Sequence, residues 1–154
     1  MTTEPSLAEM SRIWRTEDPK RLVGRGHPVG DFLEAPEWDV LERGERTLRL
    51  RAHLPEQVKN PRGDLFGGFT PTYVDFVALH LFHLNGSEAE PRRWLNTASL
   101  QVDYFAPIRG PHFEIWGELL QRRGRSAWVQ LRFLSTTGEL CALGQVTLIE
   151  QRSS

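Results

Sequence analysis

Thr72-Tyr73-Val74-Asp75-Phe76-Val77-Ala78-Leu79-His80-Leu81-Phe82-His83-Leu84 is apolar almost all the way round a helix, not along a single stripe. Such a helix is enclosed by other structure instead of lying on a surface. Asn85-Gly86 ends it, and the charged run 87–93 that follows reads as a surface loop. Everything that could enclose the helix has the two-residue period of a strand. Upstream, Leu48, Leu50, Ala52 and Leu54 alternate with Arg49, Arg51 and His53, and residues 38–42 can pair with them through a turn at Arg43-Gly44. Downstream, four strands fit 95–105, 112–121, 126–135 and 140–150. Their alternation is clearest in Ala98, Leu100, Val102 and Tyr104, in Phe113, Ile115, Gly117 and Leu119, and in Ala127, Val129, Leu131 and Phe133. Residues 107–111, 122–125 and 136–138 supply the turns. Two strands, one enclosed helix and four strands predict an α+β fold in which an antiparallel sheet curls around a single helix.

At the N-terminus, Ser6 and Glu9 form a capping-box pattern, and Leu7, Met10, Ile13 and Trp14 recur at helical spacing until Asp18-Pro19. Gly24 to Gly30, with three glycines, Pro28 and His27, reads as an irregular connector. The expected organisation is therefore an N-terminal helix and linker over 1–26 and one folded domain over 27–154.

At 154 residues and 39% hydrophobic, the chain suits one domain with a continuous core. A net charge of −1 gives no global field for nucleic acid or an anionic membrane, so neither is an expected partner. The N-terminus is charged throughout and lacks an apolar core of signal-peptide length. No run approaches the ~20 apolar residues of a spanning helix, so a cytoplasmic location is expected. The single cysteine, Cys141, sits in an apolar run and reads as a buried residue rather than a reactive thiol. The five histidines are not spaced with cysteines as metal ligands; His80 and His83, one turn apart, read as core or interface packing. No metal and no cofactor are expected.

Asp75 is the one acidic residue between Leu65 and Leu84. A carboxylate among apolar neighbours carries a desolvation penalty unless paired or used, and burial moves it toward acid-base work. The competing reading is a first-turn acid favoured by the helix dipole, or one facing a polar partner across an interface. Upstream, Phe66-Gly67-Gly68 puts two glycines before the helix, where backbone N–H groups at the positive end suit an oxyanion or carbonyl oxygen. Alone, Gly-Gly reads equally as a tight loop-to-helix turn. Pro71 is tolerated only near a helix start, so with Thr70 as a cap the helix is expected to begin at Pro71 and to carry its positive end away from Gly67. Arg122, Arg123 and Arg125 cluster at a strand turn that suits either phosphate binding or plain solvated charge.

Taken together, these spacings resemble the PaaI-type (phenylacetate-type) acyl-CoA thioesterases of the hotdog superfamily. In that family a proline-glycine-rich opening, an Asn-x(n)-Gly-x-x-His-Gly-Gly stretch and a central-helix aspartate recur. The matching residues here are His27-Pro28, Asn60, Gly63, Leu65-Phe66-Gly67-Gly68, Thr72, Asp75, Thr97, Val102 to Pro107, Arg123-Gly124-Arg125 and Gly138 to Ala142. The likeness covers roughly residues 27–150 and departs from the family at Phe66, which stands where the family has histidine.

The resemblance implies a hotdog thioesterase-like domain that hydrolyses acyl-CoA to a carboxylic acid and free CoA. Asp75 would act as general base or nucleophile. The N–H of Gly67, with Gly68, would hold the oxyanion, and Asn60 and Thr97 would position water or the carboxylate. Phe66 would lie beside the acyl group, and the three arginines on the CoA phosphates. The family places its site between subunits, which implies a homodimer, often paired into a homotetramer, with Asp75 and Thr97 coming from different chains. From the residues themselves, Phe66, Phe69, Phe82 and Trp94 suggest an apolar or aromatic pocket, and Trp94, Trp116 and Trp128 suit either an acyl pocket or, more commonly for such residues in strands and loops, a core or subunit interface. Two other readings remain: a non-catalytic hotdog protein that binds acyl-CoA or serves as an assembly or regulatory module, and a hotdog dehydratase, whose histidine base has no counterpart near Gly67 or Asp75.

Overall fold

The structure is a computed structural model that describes residues 16–84 and 95–151. The expected helix at Ser6 to Trp14 and the charged loop at 87–93 lie outside these residues, as do Trp94 and the side chain of Phe82. Six strands form one antiparallel sheet: β1 (Asp39–Arg43), β2 (Thr47–His53), β3 (Leu95–Tyr104), β4 (His112–Arg123), β5 (Ser126–Leu134) and β6 (Leu140–Glu150). The order across the sheet is β1-β2-β4-β5-β6-β3, so β1 and β3 are its two edges. A short helix α1 (Pro28–Phe32) precedes the sheet, and the central helix α2 (Thr70–Leu84) packs against its concave face.

The alternation in sequence becomes the two faces of the sheet. Leu48, Leu50, Ala52, Phe113, Ile115, Leu119, Ala127, Val129, Leu131 and Phe133 are buried against α2, and the intervening positions face outward. Helix and sheet approach closely because two strand positions have no side chain. A Cβ on Gly144 would lie 2.4 Å from Val74 Cγ2, and one on Gly117 2.4 Å from Leu81 Cδ1. Trp38 stacks on Tyr73 at 5.5 Å between ring centroids, and both are fully buried. Each such aromatic ring contributes roughly 1.5–3 kcal/mol of burial.

Two local expectations are corrected. The connector at Gly24 to Gly30 runs into a helix: Pro28 occupies its first turn, and the Nδ1 of His27 accepts the Gly30 N–H at 3.1 Å as an N-cap. A histidine ring does here what a Ser or Asp oxygen ordinarily does. The second concerns α2. Thr70 is not its cap, because Thr70 already has helical dihedrals, and a 3₁₀ turn over Gly67–Phe69 runs straight into it. The positive end of the helical run therefore reaches back to Gly67 instead of stopping at Pro71. Phe66, extended at φ −62° and ψ 127°, precedes the run without a side-chain cap.

Cys141 is 2% exposed, and burial, reinforced by Glu139, raises its thiol pKa, so it is held as the unreactive thiol. His80 is buried, with Nδ1 2.9 Å from the Phe76 carbonyl oxygen, consistent with a packing role.

Candidate active site

Among the described side chains of the central helix, all but one stripe are enclosed. Tyr73, Val74, Phe76, Val77, Ala78, His80 and Leu81 are buried, whereas Thr72, Asp75 and Leu79 form a half-buried stripe at i, i+3 and i+7. Asp75 therefore sits on the open stripe and not in the core. Edge strand β3 runs beside this stripe, and the Thr97 hydroxyl donates to Asp75 Oδ1 at 2.5 Å. The hydroxyl occupies one carboxylate oxygen and leaves Oδ2 for a ligand.

Thr97 reaches Asp75 because β3 is irregular. Leu100, Val102 and Tyr104 pair with Val146, Gly144 and Ala142 on the concave face, and a strict alternation would turn Thr97 to the opposite side. A bulge between Thr97 and Ser99 shifts the register so that Thr97 pairs with Leu148 and points inward with Leu100. The resemblance assigned Asp75 and Thr97 to different chains. This is corrected: they meet within one chain.

Gly67 and Gly68 are exposed at the start of the helical run, where the first N–H groups have no intrahelical acceptor. They are flanked by two exposed rings. The Phe66 ring lies 3.0 Å from the position a Gly68 Cβ would take, and the Tyr104 ring 3.7 Å from that of Gly67. Asn60 lies on the preceding loop, where its Oδ1 accepts the N–H groups of Arg62 and Asp64 at 2.9 and 3.1 Å. The oxygen is thus used to shape the loop, and what Asn60 offers a ligand is its amide N–H. Asp64, buried beneath the loop, accepts Arg109 Nε at 3.2 Å and ties the loop to the segment after β3.

These groups fall into two half-sites. Asp75 lies eight residues after Gly67. At ~2.0 Å rise per residue through the 3₁₀ turn and ~1.5 Å thereafter, the two stand about 13 Å apart along the axis. One carbonyl must lie within ~3 Å of both an oxyanion donor and a base or nucleophile. Gly67 and Asp75 of one chain are too far apart to share a carbonyl.

The remaining candidates lie elsewhere. At the β4–β5 turn, where Gly124 has φ +58°, Arg122 Nη2 donates to Glu150 Oε1 at 2.8 Å and Arg125 Nη1 to the Glu150 carbonyl at 3.1 Å. Arg123 points into solvent. Trp116 lies under the Arg49 guanidinium at 4.0 Å and Trp128 is 38% exposed, both on the convex face, so neither lines this site. Phe66 (52% exposed), Phe69 and Phe32 form a chain of ring contacts at 5.7–5.9 Å beside Gly68. Glu34, Glu37 and His53 bring their donor atoms within 4.8 Å of one another, with the His53 Nε2 facing both carboxylates.

A six-stranded antiparallel sheet wrapped around one long helix, with an acid on the helix's open stripe, defines a hotdog protein. Residues 62–142, just over half of the chain, match the thioesterase superfamily, and the chain belongs to it. No curated protein matches it by sequence. Among solved structures it resembles mouse thioesterase superfamily member 2 (22% identity, TM-score 0.65, 77% of this chain and 85% of that one). A thioesterase of Haemophilus influenzae is similar at 14% identity and TM-score 0.67, covering 78% and 80%. A Streptococcus mutans protein bound to acetyl CoA is similar at 13% identity and TM-score 0.65, covering 75% and 89%. Among the described residues no helix is long and apolar enough to cross a membrane.

Proposed function

We propose that the chain is an acyl-CoA thioesterase of the PaaI-like type, working from a site shared by two copies. The observation that carries this reading is the Asp75–Thr97 pair, a carboxylate oriented by a hydroxyl on the open stripe of the central helix. Thr97 holds Oδ1, so Oδ2 either takes a proton from water as the water oxygen attacks the thioester carbon, or attacks that carbon itself. The developing oxyanion accepts N–H groups from Gly67 and Gly68 at the positive end of a helical run. Breaking the C–S bond releases the CoA thiolate, which takes up a proton; the water route frees the carboxylic acid at once, and the direct route leaves an Asp75 mixed anhydride that a water molecule then hydrolyses to the acid and the free carboxylate.

Because one chain separates Gly67 from Asp75, the second half-site comes from a second copy: Asn60, Gly67 and Gly68 of one face Asp75 and Thr97 of the other. Strand β3 supports this pairing. It is a ten-residue edge, exposed along most of its length, with Leu100 and Val102 only half covered by their own chain. An edge of that kind is a template for another strand. A homodimer, with a homotetramer as its further assembly, follows. Arg123, with Arg122 and Arg125 once they leave Glu150, is the proposed contact for the CoA phosphates, and Phe66 for the acyl group.

The exposed Phe66 ring beside Gly68 favours one alternative, a hotdog protein that binds acyl-CoA without hydrolysing it. A thiol-release assay across short, long and aryl acyl-CoA substrates separates the two, and light scattering tests the assembly. Hydrolysis by a dimer or larger assembly supports the thioesterase. Tight binding without thiol release on the whole panel, or an active monomer, contradicts it.

A further inference from the structure

From the hydrogen bonding around the Gly67–Gly68 turn we infer that Tyr104 is a positioning residue for the reaction, acting through the peptide unit that carries the Gly68 N–H. The inference rests on the thioesterase reading above. Tyr104 closes β3, and its hydroxyl donates to the Gly67 carbonyl oxygen while its ring stands 3.7 Å from the place a Gly67 Cβ would take. The same carbonyl accepts the Thr70 N–H. One amide oxygen thus takes two donors, and its own N–H partner, on Gly68, lies at the open start of the helical run.

Hydrogen bonds that share a peptide unit polarise one another, so a donor on the carbonyl strengthens the N–H at the other end. The adjacent unit differs: the Phe66 carbonyl accepts the Phe69 N–H at 2.9 Å, a helical bond with no side chain involved. Tyr104 therefore singles out Gly68 as a second oxyanion donor beside Gly67. It also fixes the turn's orientation from a strand 37 residues away in sequence. Although Tyr104 is 54% exposed, its hydroxyl is held by this hydrogen bond.

Tyr104→Phe keeps the ring and removes only the donor. The expected result is a fall of about 3- to 10-fold in kcat with KM within about twofold, because the polarised N–H matters most when negative charge develops on the thioester oxygen. Replacing Tyr104 by ortho-fluorotyrosine, a stronger donor while protonated, should raise kcat and bring in an alkaline decline that Tyr104→Phe lacks. A purely structural tyrosine would not respond to donor strength. Unchanged kcat in Tyr104→Phe and no effect of fluorination, in a protein whose activity is lost with Asp75→Asn, would overturn the inference and leave the thioesterase intact. A parent inert on every acyl-CoA would overturn both.

Discussion

The shared site predicts that two inactive proteins restore each other. Asp75→Asn removes the ionised carboxylate from one half-site. Gly67→Pro removes the oxyanion donor from the other with little disturbance to the fold. Gly67 is the first residue of the 3₁₀ turn, a position where a helix start accepts proline, and Phe66 before it already has the extended conformation that precedes proline. A Cβ at Gly67 meets only the Tyr104 ring, at an ordinary 3.7 Å. Loss of one oxyanion donor costs about 10²- to 10³-fold in kcat, and loss of a general base about 10²- to 10⁴-fold. In a mixed dimer one site carries both substitutions and the other carries neither. Random reassortment of equal amounts makes about half of all dimers mixed, so activity should return to about a quarter of the parent's. The assay is thiol release after the two variants, differently tagged, are co-expressed and purified through both tags, which should give about half the parent rate. A mixture no more active than the separate variants would show that the two groups do not serve one site in trans, and would refute the half-site argument.

Three further outcomes follow from the packing and electrostatics. Gly144→Ala drives a methyl into Val74 and should destabilise by about 1–3 kcal/mol in thermal or urea unfolding, with most of the loss recovered in the Val74→Ala background. Burial lowers the pKa of the His27 cap below 6.5, against the raising effect of Asp31. The fold therefore favours the neutral ring, and its stabilisation, present above 6.5, is lost as pH falls through the lowered value. Melting temperature should fall as pH drops from about 7 to about 5, and His27→Asn, a cap that does not titrate, should flatten that dependence. Arg123→Ala with Arg125→Ala should raise KM for acyl-CoA in a salt-sensitive way with kcat nearly constant; an unchanged KM at low salt would leave the turn as surface charge.

Much of this was legible in the sequence for a simple reason: the sheet buries one face, so period-two alternation fixes each strand and its register. The all-round apolar run at 72–84 marked the enclosed helix, and its lone acid marked Asp75. What escaped depended on backbone irregularity that residue types do not announce. The Thr97/Ser99 bulge turns Thr97 inward, against the alternation of Ala98, Leu100 and Val102, and so places it beside Asp75 in the same chain. Pro71 suggested a late helix start, but a 3₁₀ turn absorbs Gly67–Phe69 ahead of it. The glycines around His27 hid α1, because histidine is not a residue that capping rules look for. Tyr104 was legible as a strand position but not as a partner of Gly67: their bond joins residues far apart in the chain, and only the fold brings them together.

If the Asp75 carboxylate performs thioester hydrolysis, its removal is read directly in kcat of Asp75→Asn on the best acyl-CoA of the panel. Asparagine keeps the shape and can still accept the Thr97 hydroxyl, so melting temperature and assembly should match the parent. The expected loss in kcat is at least about 10²-fold, with Thr97→Ala milder because water can replace a positioning hydroxyl. An assembled, folded Asp75→Asn protein that hydrolyses acyl-CoA within a few-fold of the parent would contradict it.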